Sequence, residues 1–169
     1  MIDVMIDLET TDTAPTAKIL SLGAVKFDRL SGEIDHFYVR FDVSKMPGTT
    51  SADTMAWWQK QHMAVRQEAF GGKALPEDLK DFCKWLGGSV MPWGNGSHFD
   101  ITILENTLNA LGIPIPWKFW NVRDLRTLAD LSGLNPRQFT FDGAKHNALA
   151  DAQHQVRYAV EMFKAILSR

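Results

Sequence analysis

The chain of 169 residues has a single cysteine, no long apolar run and no excess of one charge. Because Cys83 is that cysteine, an intrachain disulfide is impossible, and the count argues against a zinc site built from cysteines. No apolar stretch approaches the roughly 20 residues of a membrane-spanning helix, so we expect no membrane association. No basic and apolar leader precedes the first strand-like run, and we expect a cytoplasmic location (the host cytoplasm for a phage protein).

The charges nearly cancel, with 18 Lys and Arg against 20 Asp and Glu and a formal net charge of -2. This balance excludes a strongly basic protein that coats nucleic acid or binds membranes through charge alone. A nucleic-acid enzyme is not excluded, since bound metal ions can supply local positive charge. The content of 45% hydrophobic and 22% charged residues is typical of a folded protein, and the length suits a single domain over residues 1–169.

Hydrophobic periodicity predicts an α/β fold with a mixed five-stranded sheet flanked by helices. Apolar and acidic residues alternate over residues 2–9, and strands over 19–27 and 34–41 follow after short turns, which predicts an antiparallel meander. Two shorter strands, over residues 89–93 and 119–122, are predicted between helices and form the parallel part of the sheet. Helical patterns cover residues 54–61, 64–70, 76–86, 101–111, 125–131 and 149–167.

Two acidic residues, Asp7 and Glu9, lie two positions apart at the end of the first predicted strand. Their side chains therefore share one face of the strand, about 7 Å apart along the backbone. Like charges on a central strand repel each other and lose hydration, and a divalent cation removes both costs. The alternative is that the strand ends at Ile6 and both acids face water.

Two further acids and a histidine come from later segments. Asp100 follows the strand at residues 89–93, near the carboxyl edge where open α/β sheets bind ligands. Asp151 lies in the first turn of the last helix, and His146 precedes it by five residues. Taken singly, these residues fit a helix cap, an acid beside a helix dipole and a surface histidine. Together, the four acids predict a site for two Mg²⁺ or Mn²⁺ ions, with His146 as a base that takes a proton from water.

Three motifs in this order resemble the DEDDh branch of the DEDD 3′→5′ exonuclease superfamily, which includes the proofreading subunit of bacterial DNA polymerase III and ribonuclease T. The motifs are DLETT at residues 7–11, NGSHFD at residues 95–100 and HNALAD at residues 146–151. The resemblance covers nearly the whole chain. It is greatest to the small exonuclease VIII-like and exoribonuclease-like proteins of bacteria and phages.

The resemblance implies a fold, an activity and a set of functional residues. The fold is ribonuclease H-like, and members of the family cleave at a 3′ terminus and release nucleoside 5′-monophosphates. We therefore expect an enzyme whose partner is the 3′ end of nucleic acid, in single-stranded form, and a homodimer is compatible with the resemblance. The implied metal ligands are Asp7, Glu9, Asp100 and Asp151, and the implied general base is His146.

Several residues are expected around the terminal nucleotide. Thr10 and Leu22 are expected to line its pocket by analogy with relatives, and Phe99 is a candidate for stacking on its base, with core packing as the alternative. Trp57 and Trp58 are neighbours on a helix, so one is expected in the core. The other is a candidate for a substrate or dimer surface, with core packing or simple partial exposure as the favoured alternative. Asp124 is either close to the metal site or a helix cap.

Two other functions stay open at this point. One is a nucleic-acid-binding module on the same fold that has lost activity. The other is an endonuclease of the ribonuclease H type, although such enzymes lack the spacing of His146 and Asp151. The choice between DNA and RNA is also open.

Overall fold

A computed structural model describes residues 1–168, which form one five-stranded sheet with helices on both faces. The strands are β1 (Ile2–Thr10), β2 (Ile19–Asp28), β3 (Gly32–Arg40), β4 (Val90–Gly94) and β5 (Arg123–Asp124). The helices are α1 (Ala52–Gln59), α2 (Met63–Phe70), α3 (Leu79–Leu86), α4 (Ser97–Ala110), α5 (Leu125–Ser132) and α6 (Ala148–Leu167). Within residues 1–168, no helix has the length and apolar character needed to cross a membrane.

The sheet has the order β3-β2-β1-β4-β5. The first three strands pair antiparallel, and β4 and β5 are added in parallel on the other side of β1. This confirms the predicted mixed sheet, in which an antiparallel meander is followed by parallel strands. β1 is the central strand, so its carboxyl end lies at the middle of the sheet edge.

The alternation of side chains along β1 decides which face its acids occupy. Val4, Ile6 and Leu8 pack into one core cluster, which also contains apolar residues of α3 and α4. Met5 packs into the other cluster, with apolar residues of α5 and α6. Because alternate residues of a strand share a face, Asp7 and Glu9 point to the side of the sheet that α6 covers.

Two predicted elements differ from the structure. The strand predicted over residues 119–122 is wrong in position, because Phe119–Asn121 is a turn of 3-10 helix and the fifth strand is Arg123–Asp124. Aromatic residues favour strands, but those at 119 and 120 are exposed and gain nothing from pairing. The helix predicted over residues 76–86 is divided into a 3-10 turn, Pro76–Asp78, and α3.

Candidate active site

Four acidic side chains from three segments converge at the carboxyl end of β1. Asp7, Glu9 and Asp151 each offer a carboxylate oxygen, and these oxygens lie within 4.8 Å of one another. Asp100 lies in the first turn of α4, and its Oδ1 accepts a 3.1 Å hydrogen bond from the backbone N–H of Leu8. The structure therefore brings together all four acids that the sequence singled out.

The end of β4 explains how Asp100 reaches this cluster. Pairing between β1 and β4 stops at Met5 and Trp93, so the N–H of Leu8 lies beyond the last strand partner on that side. The chain then turns at Gly94 into α4, and a side chain at that glycine would contact Ser97 and the carboxylate of Asp100. A residue without a side chain is needed here, because the turn folds the helix start back onto the strand.

Burial and mutual repulsion favour the protonated forms of these acids. Desolvation is the main cause in each case, and it raises the pKa of Glu9 to about 8, that of Asp100 to about 7 and that of Asp151 to about 6. The pKa of Asp7 is raised well above its usual value by burial and by the charges of the other three acids. A cluster of this kind is stable in its ionised form only with a compensating positive charge.

A residue that the sequence analysis missed, Gln155, completes the environment of Asp7. It is buried, and its Nε2 donates a 2.7 Å hydrogen bond to Asp7 Oδ1, which lowers the pKa of Asp7 against the larger effect of burial. The sequence contains a signal for it, since Gln155 follows Asp151 by four residues and so shares its helix face. The amide fixes the rotamer of Asp7 from the same helix that supplies Asp151.

His146 lies just before α6, in a left-handed backbone conformation with φ of 60°. Such a conformation is unfavourable for a residue with a Cβ, and it turns the side chain away from the path of the helix. The imidazole packs edge-on against the ring of Trp57, with centroids 4.9 Å apart. Partial burial, with a smaller effect of Lys145, lowers the pKa of His146 below 6.5, which favours the neutral form that can accept a proton.

The next residue, Asn147, anchors this segment to the rest of the protein. Its side chain accepts the N–H of Ala150 as the N-cap of α6 and donates to Tyr38 Oη at 3.1 Å and to Glu68 Oε1 at 3.2 Å. Glu68 is itself held by a 2.8 Å ion pair with Arg40. The start of α6 is therefore fixed to β3 and to α2.

A cavity of about 550 Å³ opens beside the acids. That volume is in the range of sites that hold small molecules. Thr10 and Phe99, two of the predicted substrate residues, line it together with Trp57 and Glu9. Leu22 does not join them, because its side chain is fully buried in the core cluster on the other face of β1.

Other parts of the cavity wall are polar. They consist of Asp12 and Thr13, in the loop after β1, and of Ser51, Asp53 and Thr54, at the start of α1. The carboxylate of Asp12 accepts the N–H of Thr13 in its own loop at 2.7 Å and the hydroxyl of Thr49, from the segment before α1, at 2.7 Å. It therefore shapes the loop that follows β1.

The structure gives the positions of Trp57, Trp58 and Asp124, whose roles the sequence left open. Trp58 is in the core and donates a 2.9 Å hydrogen bond from Nε1 to the carbonyl of Thr10, whereas Trp57 is 41% exposed at the cavity. Asp124 is a helix cap, since it accepts the N–H groups of Arg126 and Thr127 at the start of α5. It also accepts the N–H of Ser97 at 2.5 Å, which ties the starts of α4 and α5 together.

The donor set fits hard divalent cations. Carboxylate oxygens are the ligands that Mg²⁺ and Mn²⁺ prefer, and the cluster Asp7, Glu9 and Asp151 offers three of them within reach of one ion. The raised pKa values give the same indication, because a bound cation would relieve the repulsion that causes part of them.

Comparison with known proteins identifies related sequences and folds. The family model described as the 3'-5' exoribonuclease Rv2179c-like domain matches residues 2–163. The nuclease domain of 3'hExo, a DEDDh family member bound to rAMP, has a TM-score of 0.62 at 18% identity, covering 96% of this chain and 92% of that one. No curated protein sequence gives a match.

Two other solved structures have the same fold. E. coli Exonuclease I in complex with a dT13 oligonucleotide has a TM-score of 0.65 at 15% identity, covering 95% of this chain and 40% of that one. Pop2p of S. pombe, in a Mg²⁺ and Mn²⁺ bound form, has a TM-score of 0.55 at 14% identity, covering 95% and 82%. These likenesses confirm the predicted ribonuclease H-like fold.

Proposed function

The chain belongs to the 3'-5' exoribonuclease Rv2179c-like family, and on that premise we propose that it removes nucleotides one at a time from the 3′ end of single-stranded RNA or DNA. By family and fold it is a 3'-5' exonuclease of the DEDDh type. The observation that carries the proposal is the convergence of carboxylate oxygens of Asp7, Glu9 and Asp151 within 4.8 Å of one another, beside a cavity that Glu9 also lines. The family favours RNA as the substrate.

Four carboxylates would hold the cofactor, which we propose to be two Mg²⁺ or Mn²⁺ ions bound by Asp7, Glu9, Asp100 and Asp151. Two such ions supply charge that stabilises the attacking and leaving oxygens of an in-line displacement at phosphorus. The protein positions the ligands before the ions bind, since Gln155 holds Asp7 and the N–H of Leu8 holds Asp100.

His146 is the proposed general base. Its ring nitrogen accepts a proton from the attacking water while the water oxygen forms a bond to the terminal phosphorus. The bond from that phosphorus to the 3′ oxygen of the preceding nucleotide breaks, which releases a nucleoside 5′-monophosphate. The leaving 3′ oxygen takes a proton from solvent water and becomes the new 3′ hydroxyl. The lowered pKa of His146 supports this role, because the imidazole is then unprotonated near neutral pH.

The cavity is the proposed position of the terminal nucleotide. Phe99 and Trp57 line it and offer aromatic surfaces to the base or sugar, and Thr10 and Glu9 line it too. Leu22 has no direct part in this arrangement, because it is fully buried.

Degradation of end-labelled oligonucleotides tests the proposal. RNA and DNA oligomers carrying a 5′ label are incubated with Mg²⁺, Mn²⁺ or EDTA, and each is paired with a version blocked at the 3′ hydroxyl. We expect a ladder that shortens from the 3′ end with either metal and no cleavage in EDTA. The order of RNA and DNA rates gives the sugar preference.

The alternative functions give different products. A ribonuclease H-type endonuclease would cut blocked or circular substrates, and an inactive binding module would leave every oligomer intact with either metal. Either result would contradict the proposed function. The homodimer that the resemblance allows is untested, and sedimentation of the chain tests it separately.

A further inference from the structure

The most exposed aromatic side chains among the described residues are adjacent in sequence. Phe119 is 80% exposed and Trp120 is 62% exposed, and their rings meet edge to face with centroids 4.9 Å apart. Neither belongs to a core cluster of the described residues. Two large rings displayed together to solvent are costly for folding and indicate a binding surface.

The turn that carries these rings is fixed by hydrogen bonds. Arg123 Nη1 donates to the carbonyl of Trp120 at 2.8 Å, and the N–H of Asn121 donates to the carbonyl of Lys118 at 2.8 Å. Asn121 itself is buried, and on the other side Trp117 is buried and donates from Nε1 to Glu105 at 2.7 Å. The backbone that carries the rings is therefore held in place before any ligand arrives, which lowers the entropic cost of binding.

The charged residues close to the rings in sequence are mostly positive, although the whole chain carries a net charge of -2. Residues 114–127 contain Lys118, Arg123 and Arg126 and one acid, Asp124. The carboxylate of Asp124 accepts hydrogen bonds from three backbone N–H groups at the starts of α4 and α5. Flat apolar rings flanked by cations are suited to a flexible polyanion with stackable groups, which is the chemistry of a single-stranded nucleic acid.

The segment of residues 114–127 is joined to the helix that carries Asp100. Asp124 holds the first residue of α4, and Asp100 lies one turn further along that helix. The Arg126 guanidinium lies against Gly96 and acts on the charge of Asp100. Since Trp120 precedes Asp124 by four residues, their Cα atoms are at most about 14 Å apart. A strand with its 3′ end in the cavity therefore needs few nucleotides to reach the rings.

We propose that Phe119, Trp120 and Lys118 form an upstream surface, which holds the single strand on the 5′ side of the nucleotide being removed. The inference rests on the proposed function, since it takes the cavity as the position of the 3′ end. Stacking on such rings is worth about 5- to 150-fold in affinity per base. The surface would make the enzyme prefer longer strands without taking part in the chemical step.

The test uses the full chain with Phe119→Ala and Trp120→Ala combined. A matched control combines Leu30→Ala and Ile34→Ala, which removes two exposed apolar side chains from the region of the β2–β3 turn. KM and kcat are measured on oligomers of roughly 2 to 12 nucleotides. For the longest oligomer we expect KM to rise at least about 10-fold in the test variant, with kcat and the cleavage of dinucleotides unchanged. The control should match the wild type.

Binding in EDTA separates this inference from the proposed function. A labelled oligomer of about 12 nucleotides should bind the wild type more tightly than the test variant by a similar factor, whether or not cleavage is ever observed. Lys118→Ala should lower the salt dependence of that binding by a slope of about 0.7, the value for one phosphate contact on a single strand.

Three outcomes would overturn the inference. Long and short oligomers could lose activity equally, which would place the effect in the active site or in folding. The test variant could bind and cleave long oligomers like the wild type. Sedimentation could also show that the variant changes from dimer to monomer, which would make the rings a contact between two copies of the chain.

Discussion

A Cβ atom on Gly23 would lie 2.3 Å from the carbonyl oxygen of Ala148, so no side chain fits between β2 and the start of α6. Gly23 is the register partner of Asp7 on β1. The first turn of α6 therefore rests on bare backbone beside the acids of the central strand. This close approach is what brings Asp151 within reach of Asp7 and Glu9.

Gly23→Ala should consequently separate the two halves of the site. The added methyl group must push α6 away, and we expect a loss of about 1–3 kcal/mol in the free energy of unfolding, as for overpacked cores. Activity and the rise in Tm on adding Mn²⁺ should both fall strongly. Gly88→Ala is the matched control, because a Cβ there would meet no atom within 4 Å. A Gly23→Ala protein with normal metal response and turnover would show that the contact is not needed.

His146→Ala should lower kcat by about 10²- to 10⁴-fold, the usual contribution of a general base. Metal binding should be nearly unchanged, because the carboxylates that hold the ions remain in place, and the Tm gain with Mn²⁺ measures this. His36→Ala is the control, since His36 is an exposed histidine on β3 paired with Glu33. Equal kcat for the His146 variant and the wild type would remove His146 from the base role.

The stability of the metal-free protein should fall as the pH rises from about 5 to about 8. The pKa of Glu9 is raised from 4.5 to about 8, and those of Asp100 and Asp151 are raised to about 7 and about 6. The folded state therefore binds more protons than the unfolded state in this window, so raising the pH favours unfolding. We expect Tm in EDTA to drop by several degrees across it.

Mg²⁺ should reverse this dependence, because it binds the ionised carboxylates. The gain in Tm on adding Mg²⁺ should be small at pH 5 and largest near pH 8. Glu9→Gln provides the control in EDTA, since it removes the group with a pKa of about 8 and should flatten the upper end of the profile. A metal-free Tm that rises between pH 6 and pH 8 would be inconsistent with a buried acidic cluster.

Much of this site could be predicted from the sequence, because the types of its residues and their spacing along strands and helices indicate its chemistry. The alternation of β1 places Asp7 and Glu9 on one face, and the helical stripe of α6 leaves Asp151 off the core side. The three motifs then indicate that distant segments meet. Periodicity also locates the strands along the chain, apart from β5, where exposed aromatic residues have the composition of a strand without its burial.

Other features depend on contacts between segments that no local pattern encodes. Leu22 is adjacent to Gly23, but its side chain packs into the core cluster on the other face of the sheet from α6. The face that each residue of β2 occupies becomes clear only from the pairing of the strands. The hydrogen bonds of Asn147 to Tyr38 and Glu68 join residues that are 109 and 79 positions apart, through side chains that are ordinary in type. Glycine within a strand does carry a readable signal of close backbone approach, and Gly23 is an instance.

Asp7→Asn should make the protein more stable and less active at the same time. Asparagine keeps the volume of Asp7, and its Oδ1 can still accept the hydrogen bond from Gln155, but the variant lacks a buried charge that burial and three neighbouring acids disfavour. We expect a higher Tm than wild type at pH 8 in EDTA. Cleavage with Mg²⁺ should fall by at least about 10²-fold, since one ligand and its charge are lost. Asp81→Asn, which alters an exposed acid paired with Lys84, should leave both quantities close to wild type. Unaltered turnover in the Asp7 variant would exclude it as a metal ligand, whereas lost turnover with a lowered Tm would point to misfolding instead of a missing charge.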